Sequence, residues 1–312
     1  MTRVLVIAII TLVSTGLVAG WGLDVTEASG PHAAVVSLDS VIDPVSAGYL
    51  SRGIDTAVEN GAQFIVIVTD TSGGSMDSTR DMVEKILAVE IPVVAFVSPA
   101  GAHASSAGTF IVAAAHLAAM ARATNIGAAA PVKSGGDDLP DTMKSKATED
   151  AAAFLRGIAS ERSRNAVALE ATVVSATSYS AIEALDEGII DLIADDIEDL
   201  FSKINGQTIA VRNADVVLYT KDLDVREIDR TLLERFLGMI ANPNIVFLLL
   251  SLGGLAIMVE LWTPGLIGPG VIGLILLALA FVVMGILPVN WVGVALIGLA
   301  MLLFFLESQA AG

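Results

Sequence analysis

The chain has 312 residues, 54% of them hydrophobic, and carries a formal net charge of -17. Its mean hydropathy of +0.74 is too high for an ordinary water-soluble protein, so membrane helices are expected. The acidity excludes nucleic acid and anionic lipid headgroups as attracted partners, and the absence of cysteine excludes thiol nucleophiles, zinc–thiolate sites and disulfides.

Met1–Gly20 opens with Arg3, continues through an apolar run, Val4–Val13, and ends in small residues around Val18-Ala19-Gly20. That order describes a secretory signal peptide. An uncleaved helix over Val4–Ala19 is the alternative. Both place the following domain outside the cytoplasm.

From about Leu23 to Ala241 short β-rich runs alternate with helical stretches. Ala33–Leu38, Phe64–Thr69 and Ile91–Val97 read as buried strands. Val45–Glu59 and Met76–Val89 carry apolar residues at helical spacing. The alternation predicts an α/β domain of βαβ units on a mostly parallel sheet. Lys146–Arg162 reads as a long helix, with Ala151, Leu155, Ile158 and Ala159 on one face. Ser178–Glu187 and Ile197–Ile204 fit shorter helices. Ile209–Arg212 and Val216–Tyr219 suggest a terminal pair of strands.

Three apolar runs follow: Ile245–Leu261, Leu266–Leu287 and Val289–Leu306. Each can cross a bilayer core of roughly 30 Å, which predicts a multi-pass integral membrane protein. Pro264-Gly265 and Pro288 break the runs, and Trp262 and Trp291 stand where interfacial aromatics belong. Glu260 is the one acid inside these runs. It reads as an interfacial carboxylate or as a contact to another helix.

Two segments could carry chemistry. Asp70-Thr71-Ser72-Gly73-Gly74-Ser75 follows an apolar strand and precedes a helix. Its glycines let the backbone turn and expose amides, which can hold an oxyanion. Alone, it is equally a plain strand-to-helix turn. Pro99-Ala100-Gly101-Ala102-His103-Ala104-Ser105-Ser106-Ala107-Gly108 also follows a strand and leads into a helix over Thr109–Ala115. Ser106 would meet the positive end of the helix dipole, with the Ala107 amide as a second oxyanion donor. The bland reading is a helix N-cap.

A serine hydroxyl needs a positioned base. The chain has three histidines, His32, His103 and His116, and none lies downstream of His116. His103 is only three residues before Ser106, too close for a good angle. Lys133, Lys144 and Lys146 therefore remain as candidates, in or beside the polar loop Pro131–Ser145. A free lysine is protonated near neutral pH, so the base needs apolar shelter.

Read together, these residues resemble the NfeD family of membrane-bound ClpP-class serine proteases. The resemblance rests on Val66-Ile67-Val68-Thr69-Asp70-Thr71-Ser72-Gly73-Gly74, Ser98-Pro99-Ala100-Gly101-Ala102 and Ser106-Ala107-Gly108-Thr109-Phe110. It continues through Thr124-Asn125-Ile126-Gly127-Ala128, Ala159-Ser160-Glu161-Arg162-Ser163-Arg164-Asn165 and Glu260-Leu261-Trp262-Thr263-Pro264-Gly265. It covers nearly the whole chain. Ser72 and Ser163 depart from the family pattern, which commonly has proline and glycine there.

The resemblance implies a ClpP/crotonase-like spiral of βαβ units followed by transmembrane helices. It implies Ser106 as nucleophile. Counted back from Arg164-Asn165, it implies Lys146 as base, with Lys144 in reserve. It implies Gly74 and Ala107 as oxyanion donors and Gly73 as the residue that shapes the turn. The implied substrates are hydrophobic segments of stomatin (band-7) type membrane proteins. A homodimer or larger homo-oligomer in membrane lipid is implied, with no cofactor and no metal. Longer members add a small C-terminal β-barrel, and the 312 residues are expected to lack it. Two rivals remain: a crotonase acting on acyl-CoA without a nucleophilic serine, and a non-catalytic membrane scaffold for stomatin-type assemblies.

Overall fold

The computed structural model describes residues 30–132, 140–212, 214–241, 243–262 and 267–286, together with Leu296 and Leu299. The expected leader Met1–Gly20 lies outside the described residues, and so does the third apolar run apart from those two leucines. The chain divides into two units, Met1–Gly30 and Pro31–Gly312.

The larger unit begins with three βαβ steps. Strand β1 (His32–Leu38) leads to helix α1 (Pro44–Glu59), β2 (Phe64–Thr69) to α2 (Met76–Ala88), and β3 (Val93–Val97) to a short strand β4 (His103–Ser105) and α3 (Ala107–Ala114). Next come β5 (Leu117–Met120), β6 (Asn125–Gly127), α4 (Asp141–Glu161), α5 (Ala166–Val174), β7 (Ser178–Ser180), α6 (Ala181–Asp186), β8 (Leu192–Ile193) and α7 (Ile197–Ile204). The domain closes with β9 (Thr208–Val211), β10 (Ala214–Val217) and β11 (Asp224–Glu227). Three further helices follow: α8 (Leu232–Ile240), α9 (Pro243–Trp262) and α10 (Ile267–Ile286).

The main sheet has six strands in the order β11-β1-β2-β3-β5-β8, and every pairing in it is parallel. Successive strand residues point to opposite faces. Ala34, Val36, Leu38, Ile65 and Ile67 therefore pack under α1 to α5. Ala33, Val35, Phe64, Val66, Val94 and Phe96 pack against α7 and β9. Both faces are buried, which is why these strands read as unbroken apolar runs. The expected α/β class and parallel sheet are observed.

Some boundaries differ from the sequence reading. The long helix begins at Asp141 rather than Lys146, because its first turns are polar and show no apolar stripe; burial starts at Ala151. The stretch from Ser178 opens as strand β7, and its helix begins at Ala181 behind a Ser180–Glu183 capping box. A second sheet, β4-β6-β7, was not legible, since three-residue strands carry no periodicity.

Among the described residues one helix, Asn244–Trp262, is long and apolar enough to cross a membrane, and Gly268–Phe281 is a shorter apolar stretch. Helices α9 and α10 meet through glycines. A Cβ at Gly273 would stand 2.7 Å from the Gly253 carbonyl oxygen, so larger residues would hold the helices apart. Glu260 accepts a hydrogen bond of 2.6 Å from the Gly270 amide, in the first turn of α10. Of its two sequence readings, the helix contact is the observed one. It places a negative charge near the helix start, where the helix dipole favours one.

Candidate active site

Ser106 is the junction between β4 and α3. Its backbone has φ 51° and ψ -114°, a left-handed conformation rare for a residue with a side chain. Such a conformation costs about 1–3 kcal/mol and persists only where its neighbours enforce it. They do so here. The Ser106 amide donates to the Gly127 carbonyl at 2.9 Å, and its carbonyl accepts from the Thr109 amide at 3.0 Å. The Thr109 hydroxyl in turn donates to Ala104 O at 3.1 Å. Strand β6 thus holds the turn from one side and α3 from the other.

Although Ser106 occupies the N-cap position of α3, its side chain makes no capping bond. Asp43, Asn165, Ser180 and Thr231 cap their helices with side-chain oxygens. The N-cap reading of Ser106 therefore fails. Its hydroxyl is left at the helix entrance, half-buried, with no partner among the described residues.

The Asp70–Ser75 turn closes over this hydroxyl. Gly73 has φ 104°, and a methyl group there would stand 2.5 Å from Ser106 Cβ, 3.0 Å from Oγ and 3.1 Å from the Ala107 nitrogen. Only glycine allows this approach. The turn is fixed on two sides. Thr71 pairs with Ala104 in β4, its amide donating to His103 O at 2.7 Å. On the other side Gly74 pairs with Ile42: the Ile42 amide donates to Gly73 O at 2.9 Å and the Ser75 amide to Ile42 O at 2.8 Å. In such a parallel bridge the amide of Gly74 itself points away from Ile42. Among the described residues neither that amide nor the amide of Ala107 donates to a protein acceptor. By contrast, the Gly73 amide is occupied, donating to Thr71 Oγ1 at 3.1 Å.

The structure thus brings Gly73, Ser106 and Ala107 together, with Gly74 beside them. Among the described residues no hydrogen bond links Lys146 to Ser106. Lys146 is exposed in the second turn of α4, with no hydrogen bond or ion pair among the described residues. Lys144 is also exposed, and Lys133 lies outside the described residues. The direction of α4 still carries information. Phe154 stacks on Phe110 of α3 at 5.7 Å. The α4 terminus meets the α3 terminus, where Arg162 donates to Ala114 O and Arg164 to Ala113 O. The two helices therefore run in the same sense. Ser106 lies one turn before Phe110, and Lys146 about two turns before Phe154, at the same end of the pair.

No histidine is bonded to Ser106. His103 Nδ1 faces Asp70 Oδ1 at 3.1 Å, and the same oxygen accepts from the His103 amide. His116 is half-buried, and its Nδ1 accepts from the Val93 amide at 3.1 Å. Burial, then the Arg162 and Arg164 guanidinium groups, lower its pKa to about 4. Sequence reasoning missed Ile42 and assigned no supporting role to Thr71 or Gly127, although both stand in segments it singled out. Ile42 left no signal, since it reaches the turn from 31 residues upstream of Gly73 through backbone bonds alone.

Residues 32–229 match the family described as "NfeD1b, N-terminal domain", and residues 244–312 match "NfeD integral membrane domain". Among curated proteins the chain is 34% identical over 278 residues to membrane-bound protease PH1510 of Pyrococcus horikoshii, and 29% identical over 258 residues to membrane protein NfeD1b of Bacillus subtilis. It covers 63% and 55% of their lengths, with 88% and 79% of this chain aligned. Among solved structures it resembles a lysine-to-alanine variant of the 1510-N membrane-bound stomatin-specific protease in complex with a substrate peptide. That match has TM-score 0.63 at 30% identity and covers 68% of this chain and 98% of the other. A serine-to-alanine variant of the same protease matches with TM-score 0.60 at 31% identity, over 65% of this chain and 100% of the other.

Proposed function

Since the chain belongs to the NfeD family and carries its integral membrane domain, we propose that it is a membrane-anchored serine endopeptidase with Ser106 as nucleophile and Lys146 as base. The observation that carries this reading is the strained, uncapped Ser106 beneath the Gly73 turn, beside two unused amides. A helix-start hydroxyl that caps nothing, held in a costly conformation, is poorly explained by packing alone. The serine and lysine replaced in the 1510-N protease variants support the same pair of residue types.

In the proposed reaction neutral Lys146 takes the Ser106 proton, and Oγ bonds to a substrate carbonyl carbon. The amides of Gly74 and Ala107 hold the oxyanion. The carbon–nitrogen bond then breaks, and the lysine ammonium protonates the leaving amine. Lys146 next deprotonates a water that attacks the ester, which releases the acid and restores Ser106. The exposure of Lys146 assigns the substrate a part. An apolar segment lying over the first turns of α4 strips water from the amine and favours its neutral form. This fits hydrophobic segments of stomatin-type proteins as substrates, the specificity named for the 1510-N relative.

The same exposure is the observation that favours the second reading, a non-catalytic scaffold. Labelling with a fluorophosphonate separates the two. The protease reading expects adduct on the native chain and none on Ser106→Ala. Equal labelling of both, or no labelling of the native chain with apolar peptide present, rejects it.

A further inference from the structure

Helix α8 presents an apolar stripe that the domain does not cover. At 3.6 residues per turn Leu232, Phe236 and Met239 fall in line, with Leu233 beside them. They are 85%, 44%, 67% and 64% exposed. The residues flanking this stripe are tied down. Glu234 accepts two hydrogen bonds of 2.7 Å from Arg52 of α1, and Arg235 pairs with Asp229 at 3.1 Å. Leu237 and Ile240 pack with α9 and α10. The polar and inner faces of α8 are therefore committed, and its orientation is set by the protein itself. Thr231 and Glu234 form a capping box that starts the helix independently of any partner.

We propose that α8 is an interfacial helix whose Leu232–Met239 stripe lies in the headgroup–acyl boundary of the membrane. Helix α8 ends at Ile240 and α9 begins at Pro243. Helix α9 is long and apolar enough to cross a bilayer from Asn244 and lies in the integral membrane domain, and a two-residue connection keeps the end of α8 within about 11 Å of its start. An uncharged, outward stripe at that depth meets lipid rather than bulk water. The chain's acidity selects zwitterionic over anionic lipid. The docking fixes the tilt of the domain through the Arg52–Glu234 link. It goes beyond the protease reading and holds whether or not Ser106 is a nucleophile.

The native chain has no cysteine, so single-cysteine variants carry a label without background. Full-length Leu232→Cys and Met239→Cys are labelled with an environment-sensitive fluorophore and reconstituted in phosphatidylcholine vesicles. Val167→Cys, 78% exposed on α5, is the aqueous control. Shallow doxyl-lipid should quench both α8 labels several-fold more than the control, and iodide several-fold less. Iodide quenching equal to the control overturns the proposal. Protection from both quenchers also overturns it, since the stripe is then covered by protein, a second copy or another chain. Two positions guard against one label disturbing the helix.

Discussion

At the scale of single residues the site depends on what glycine permits and serine endures. Gly73→Ala places a methyl 2.5 Å from Ser106 Cβ at a positive φ, so the turn must move off the hydroxyl. Peptide cleavage should fall at least about 10²-fold, as for loss of an oxyanion donor; unchanged kcat/KM would refute the packing argument. His116 gives a pH prediction. Its folded pKa of about 4 lies below the ordinary 6.5, so below 6.5 the unfolded chain binds a proton that the buried imidazole refuses. Its contribution to stability is full above that pH and drains as pH falls toward 4. Thermal melting of the detergent-solubilised chain should show this slope, and His116→Gln should flatten it.

The Ser106 turn stood out through the family resemblance, since its small residues taken alone read equally as a helix N-cap. The base stood out less. The residues leave three lysines open, and the turns that carry two of them lie outside the packed core, where no periodicity marks a position.

At the scale of elements, strands buried on both faces announced themselves. Phe64–Thr69 is a continuous apolar run, and its strand has the expected limits. The last strand did not: β11 reads Asp-Val-Arg-Glu, yet it pairs with β1 in parallel register. Charge on an edge strand blocks further pairing, and that same charge hides the strand from a hydrophobic pattern. Helix α8 was missed too, since it has only nine residues and its apolar ones are split between an outward stripe and the contact with α9 and α10. Its link to α1 is testable. Arg52 is the first cause of the Glu234 pKa falling to about 2. Arg52→Ala should raise that pKa and cost about 1 kcal/mol, modest because the pair is partly exposed. Faster amide exchange across Glu234–Ile240 would report the loss, whereas unchanged exchange would show that packing on α9 holds the helix alone.

At the scale of the molecule, a parallel sheet buried on both faces sets β4, α3 and the Gly73 turn at one end of the strands. A cluster of membrane-domain residues forms its own core around Val246, Leu250, Ala280 and Val283. The Arg52–Glu234 pair ties α8, at the head of that cluster, to α1, and α1 begins two residues after Ile42, which holds the Gly74 backbone. The membrane-domain helices and the Gly73 turn are thus joined through one helix. The most direct test of the central claim is cleavage of an apolar peptide by the full chain in lipid nanodiscs, native beside Ser106→Ala. The native chain should cleave the peptide, with a loss of about 10⁴-fold or more in the variant. Equal cleavage by the two proteins would contradict it.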